Sequence, residues 1–166
     1  MTFDAIVAGQ SVFVDANVFL DYFTSHPLHG PVCQKLLDRI ANNDISAFTS
    51  SAILSEVVHR LMTIEACQRF GWPVKGIARR LRQNSAAVQQ LARPRQAVDE
   101  ISLIGVHVIS VVKAHVSQAV DVSQSTGLLS GDATVVTVMR NQGLSLLASN
   151  DTDFDRVPGI TRYGPG

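Results

Sequence analysis

Cysteine is scarce in this chain: Cys33 and Cys67 are the only two in 166 residues, far apart and without CxxC or His/Cys ligand spacing. A disulfide scaffold and a thiolate-held structural zinc are thereby excluded, and two reduced, buried thiols are expected. No apolar run approaches the roughly 20 residues that cross a bilayer, and the N-terminus lacks a basic region followed by an apolar core and cleavage site. A cytoplasmic protein without a membrane partner is the reading. Net charge is absent too, since 14 Lys and Arg balance 14 Asp and Glu. The sum alone gives no reason to expect a polyanionic partner. Also missing are G-x-S-x-G, Gly-x4-Gly-Lys-Ser/Thr, H-E-x-x-H and a Gly-rich dinucleotide fingerprint, which removes the serine-hydrolase, P-loop, zinc-protease and Rossmann readings.

What is present is a 46% hydrophobic chain of 17.9 kDa, enough for one domain over residues 1–166 to bury a core unaided. Charge is unevenly distributed. Between Ala66 and Val98 stand seven basic residues, Arg69, Lys75, Arg79, Arg80, Arg82, Arg93 and Arg95, and no acid. The segment at about 69–98 is therefore basic and the remainder acidic.

Periodicity orders the elements. Val12-Phe13-Val14 reads as a buried strand ending at Asp15, and Val18, Phe19, Tyr22 and Phe23 as one face of a helix. His26-Pro27-Leu28-His29 is a turn whose histidines are expected in solvent. Val32 to Ile40 is amphipathic, Ile45 to Thr49 a short strand, and Ile53 to Ile64 a helix that Ser50 or Ser51 caps. Val74 to Leu91 reads as a helix ended by Pro94, with Lys75, Arg79 and Arg82 on one face. A helical piece at Val98 to Ile104 leads to a strand at Val106 to Ile109. Lys113 to Ser125 is helical, Gly127 to Ala133 opens another helix, and Leu144 to Ala148 is a strand. Such alternation predicts a three-layer α/β/α sandwich with a mainly parallel central sheet.

Acids recur where such folds bind ligands, at the carboxyl ends of strands. Asp15 follows the first strand, and Asp151, Asp153 and Asp155 follow the last one read. Asp132 falls on the apolar side of its helix, a costly place for an unpaired carboxylate. Blander roles stay open: Asp15 or Asn17 as helix cap, Asp132 bonded to free first-turn N–H groups, Glu56 as a solvated acid paired with Arg60. Gathered carboxylates repel, so a site built of them calls for cations, and hard oxygen donors select Mg²⁺ or Mn²⁺.

Four segments, VFVDANVFLDYF (12–23), FTSSAILSEVVHRL (48–61), GLLSGDATVV (127–136) and LLASNDTDFDRVPGI (146–160), resemble in order the motifs of the PIN domain. That is the metal-dependent ribonuclease fold of VapC-type toxins. The resemblance implies an acidic metal-binding quartet of Asp15, Glu56, Asp132 and Asp151, with Asp153 an additional acid and Asn17 and Ser149 in support. It implies Mg²⁺ or Mn²⁺ as cofactor and cleavage of RNA by a metal-activated water, with His59 the one histidine near a quartet member in sequence. Implied partners are RNA, an antitoxin protein and a second copy in a homodimer. The 75 residues between Glu56 and Asp132 exceed the usual length in compact members, and the excess coincides with the basic segment. Lys75, Arg79 and Arg82 are candidate RNA-phosphate contacts. A haloacid-dehalogenase-like phosphatase is the rival enzyme, though it needs a second Asp where this chain has Asn17, and an inactive PIN-fold binding module is the rival non-enzyme.

Overall fold

Strand β1 (Ser11–Val14) buries Val12, Phe13 and Val14 completely, as three successive apolar residues require of a strand covered on both faces. The computed structural model describes Met1–Gly166. After β1 come α1 (Ala16–Phe23), α2 (Gly30–Ala41), β2 (Ser46–Ser50) and the 20-residue α3 (Ser51–Phe70). Next are α4 (Ile77–Gln83), α5 (Ser85–Val88), α6 (Arg93–Ile104) and β3 (His107–Ile109). The chain closes with α7 (Lys113–Thr126), α8 (Ser130–Asn141), β4 (Leu146–Ala148), a 3-10 turn at Thr152–Arg156 and β5 (Thr161–Tyr163).

All five strands pair in parallel, in the order β3-β2-β1-β4-β5. From β1 the chain steps outward to β2 and β3, then returns across the sheet to β4. Because parallel crossovers are right-handed, that reversal carries the helices to the opposite face. Helices α1, α2, α3 and α6 accordingly pack together, and α7 packs on α8. A three-layer α/β/α sandwich results, as the alternating pattern predicts. No helix is long and apolar enough to cross a membrane.

The expected helix from Val74 to Leu91 is broken. Gly71 ends α3 at φ +64°, and Gly76, at φ +78°, leaves Lys75 outside α4, so Lys75 does not share a helical face with Arg79 and Arg82. Asn84 interrupts again and caps α5 by accepting from the Ala87 N–H at 3.2 Å. Pro94 begins α6 instead of ending a helix, in the first turn where a missing N–H costs nothing. The partner of that turn is Glu65, a buried acid on α3 that accepts from the Ala92 and Arg93 N–H groups at 3.1 and 3.0 Å. Nothing in the local sequence pattern singled out Glu65. Strand β5 and the 3-10 turn were also unread, being three and five residues long.

Smaller differences concern cysteine and histidine. Cys33 is buried, whereas Cys67 is half-buried. His26 and His29 are half-buried too, their rings stacked 4.9 Å apart while His26 Nδ1 accepts from the His29 N–H.

Candidate active site

Chain direction across the sheet reverses between β1 and β4, so their following loops diverge and leave a crevice at the carboxyl ends. Asp15 enters it from β1 and Ser149, Asn150 and Asp151 from β4. Asp15 is indeed the N-cap of α1, its Oδ1 accepting from the Ala16 N–H at 2.7 Å. Its Oδ2 accepts from the Asn17 amide at 2.7 Å and the Ser149 hydroxyl at 2.6 Å. The Asn17 amide also reaches Ser149 Oγ at 3.0 Å, and Asn17 Oδ1 accepts from the Asn150 N–H at 3.0 Å. Ser149 Oγ in turn accepts from the Asp151 N–H at 3.0 Å. Two strand tips 134 positions apart in sequence are thus joined through one serine hydroxyl and one carboxamide. From β2, the Thr49 hydroxyl donates to the Val14 carbonyl at 2.9 Å and steadies the end of β1.

Electrostatics set this crevice apart. Asp15 is only 8% exposed, and its pKa is pushed up to about 6. Burial is the main cause; hydrogen bonds from Ser149 and Ala16 oppose it, while the charges of Glu56 and Asp132 add to it. Half-buried Asp132 is raised as well, first by burial and then by Asp151, Asp153 and Glu56, with Arg156 acting the other way. No lysine, arginine or histidine forms an ion pair with Asp15, Glu56, Asp132 or Asp151.

Each sequence candidate can now be located. Glu56 lies exposed on α3 without the expected Arg60 pair, and its charge is felt at both Asp15 and Asp132. Asp132 sits in the first turn of α8 with no hydrogen bond to the free N–H groups there. Asp151 is half-buried and caps the 3-10 turn, its Oδ1 accepting from the Asp153 N–H at 2.8 Å. Asp153 is exposed and pairs with Arg156 at 3.3 Å. Asp15, Glu56 and Asp132 therefore make one electrostatic group, which Asp132 extends to Asp151 and Asp153. Lys75, Arg79 and Arg82 belong to the α4 region and are not part of the crevice.

Two residues here escaped the sequence reading. Arg156 sits three positions after Asp153, a spacing that could have been noticed. Arg162 donates to the Ser149 carbonyl at 3.1 Å and grips Asp155 through two bonds of 2.8 Å, a role that depends on the unread β5. The donor set is entirely oxygen, which suits a hard divalent cation. No three of these groups stand close enough to enclose an ion by themselves. Mg²⁺ needs no such cage, because it keeps several waters and uses one or two carboxylates together with substrate phosphates.

A family model for the PIN domain matches residues 12–160. The chain belongs to the PIN-domain family. This PIN chain shares its fold with VapBC2 of Rickettsia felis, solved bound to a DNA fragment from its promoter, at TM-score 0.60 and 14% identity over 93% of this chain and 98% of that one. VapC20 of Mycobacterium tuberculosis, described as a sarcin–ricin loop cleaving toxin, aligns at TM-score 0.60 and 18% identity over 87% and 92% of the two chains. A toxin–antitoxin complex from Klebsiella pneumoniae aligns at TM-score 0.57 and 14% identity over 90% and 95%. Comparison with curated proteins finds no significant match.

Proposed function

We propose that this PIN domain is a metal-dependent endoribonuclease, the toxin of a toxin–antitoxin pair. Asp15, Glu56, Asp132 and Asp151 would hold Mg²⁺ or Mn²⁺ between them, one or two carboxylates directly and the others through its bound water, Asp153 would add charge, and Asn17 and Ser149 would fix the Asp15 carboxylate. The observation that carries this reading is the coupling of Asp15, Glu56 and Asp132, three acids from three elements, none of them held in an ion pair by a cation of the chain. Such an ion, when bound, lowers the pKa of water and stabilises charge developing on phosphate oxygens. The protein's part is orientation: the bonds from Ala16, Asn17 and Ser149 hold both Asp15 oxygens in place before any ligand arrives. Asn17 also argues against the phosphatase reading, since its amide is engaged as a donor and exchanges no proton with substrate. An RNA substrate and an antitoxin partner are suggested by the structural neighbours, one described as a sarcin–ricin loop cleaving toxin and another as a toxin–antitoxin complex; homodimer assembly is part of the proposal and rests on the family resemblance alone.

The test is cleavage of single-stranded and looped RNA by highly purified protein. Cleavage is expected with Mn²⁺ or Mg²⁺, to vanish in EDTA, and to fall by about 10²–10³-fold in Asp132→Asn. Cleavage that persists in chelator, or in a folded Asp132→Asn protein, would falsify the reading and leave the inactive binding module in its place.

A further inference from the structure

The seven cations of the basic segment divide into two kinds. Arg69 donates to the Gln90 carbonyl, Arg93 to the Gln68 side chain, and Arg95 pairs with Asp99. Lys75, Arg79, Arg80 and Arg82 are exposed and take part in no ion pair. Arg82 stands at the edge of a groove of about 480 Å³ between α3, α4 and α5, whose other lining residues are His59, Met62, Ala78, Leu81 and Val88. The floor is thus apolar, and the two polar groups at its margin, the His59 imidazole and the Arg82 guanidinium, are both planar. His59 follows Glu56 by three residues on α3, which is about 4.5 Å of helix rise. The groove therefore opens about one turn from the acidic crevice.

Shape and charge narrow the occupant. A partner helix would need apolar anchors repeated over two turns or more, whereas the groove has four apolar lining residues and, at about 480 Å³, the size of a small-molecule pocket, with room for one planar group and part of its backbone. No acid lines the groove; Arg82 lines it, and the unpaired Lys75, Arg79 and Arg80 lie in or just before the same short helix. By contrast, the cavity of about 440 Å³ at the end of α1 has no lysine or arginine in its lining and contains the Glu100 carboxylate, which accepts from the Tyr22 hydroxyl. A polyanion is drawn to the first and repelled from the second.

We infer that the α3–α4–α5 groove is a nucleobase subsite for single-stranded RNA, an inference that rests on the ribonuclease reading. One base splays from the backbone and lies over Met62, Leu81 and Val88 against the planes of His59 and Arg82. Phosphates on either side run along Arg79, Arg80 and Lys75, which brings a neighbouring phosphodiester to the acidic crevice. Apolar contact and stacking on side-chain planes are how proteins hold unstacked RNA bases.

The experiment measures binding of a ten-nucleotide RNA, and of the abasic ribose-phosphate oligomer of equal length, to Asp132→Asn protein. Wild-type cleavage of the same RNA is followed in parallel. Ala78→Trp fills the groove, and His59→Ala, at an exposed position, removes one plane without threatening the fold. Each is expected to weaken ordinary RNA about tenfold and leave the abasic oligomer unaffected, while Arg82→Ala weakens both. If wild-type protein cleaves the RNA but both groove variants bind it as tightly as the parent, the subsite is wrong and the groove falls to a protein partner. If wild-type protein neither binds nor cleaves, the ribonuclease reading fails and the subsite with it.

Discussion

The acidic crevice and the basic α3–α5 region carry opposite charge on opposite kinds of support. Around the crevice, 33 buried residues form one core, and every polar atom of Asp15, Asn17 and Ser149 that is buried has a partner. The C-terminal end of α3, with α4 and α5, rests on a satellite cluster of only three buried residues, Ala66, Ile77 and Leu81, with Trp72 and Val88 packed alongside. Like charges are forced together where the framework is stiff and left dispersed in water where it is thin. Repulsion among carboxylates stores binding energy for a cation only if the scaffold does not yield, whereas solvated arginines cost little and need little support.

Core truncation gives the largest separation between the two regions. Leu61 is fully buried on α3 in the main cluster, and Leu61→Ala should cost about 2–5 kcal/mol, as full truncation in a packed core does. Leu81 is 8% exposed at the edge of the small cluster, and Leu81→Ala should cost about 1–2 kcal/mol because the thin layer collapses around the missing side chain. Denaturant unfolding measures both. Equal losses would mean that α4 and α5 are integral to the main core.

Acid titration probes the crevice alone. Asp15 has a folded-state pKa of about 6 against the usual 3.8, so between those values the folded chain binds a proton that the unfolded chain does not. Stability of metal-free protein from this group is greatest below about pH 4 and declines as pH rises to 6, by roughly 3 kcal/mol. Asp132, raised too, adds in the same direction, while Asp155, lowered chiefly by its hydrogen bond from Arg162, acts oppositely at lower pH. Metal-free protein should therefore melt at higher temperature near pH 5 than near pH 7.5, and saturating Mg²⁺ should narrow the gap. A melting temperature that rises from pH 5 to pH 7.5 without metal would contradict the strain assigned to Asp15.

The same division explains how much could be read without coordinates. Four of the five strands, and the two tips that form the crevice, were legible because each signal is local: Val12 to Val14 is an unbroken apolar run, and Asp15 ends it. Asp132 stood out because an acid on an apolar face is a contradiction within one helix. Glu56 did not, since its meaning depends on which end of α3 meets β1, and its spacing to Arg60 suggested a pair that does not form. The basic segment reads as one helix because Val74, Ile77, Leu81, Val88 and Leu91 keep a helical period across the breaks at Gly76 and Asn84. Burial of Glu65 and the bond from Arg162 to the Ser149 carbonyl are tertiary facts, set by partners 27 and 13 residues distant in the chain.

The smallest effect is a mirrored pair of charge deletions. Asp132 accepts no hydrogen bond, so Asp132→Asn removes repulsion from Asp151, Asp153 and Glu56 without breaking a contact. Asp15 is the poorer choice for this measurement, because an amide there would turn N–H groups toward the Asn17 and Ser149 donors. Since Asp132 is only half-buried, solvent screens much of the repulsion, and stabilisation of metal-free protein should stay below about 1 kcal/mol, a rise of roughly 1–3 °C. Arg79→Ala on α4, which severs no ion pair, should leave stability within about ±0.5 kcal/mol. Mg²⁺ then sharpens the comparison. It should raise the melting temperature of wild-type and Arg79→Ala proteins alike and that of Asp132→Asn much less, since one proposed ligand and part of the attracting charge are gone. Destabilisation by Asp132→Asn without metal would show that its carboxylate is held by contacts rather than strained by neighbours, and the contrast between the two regions would lose its physical basis.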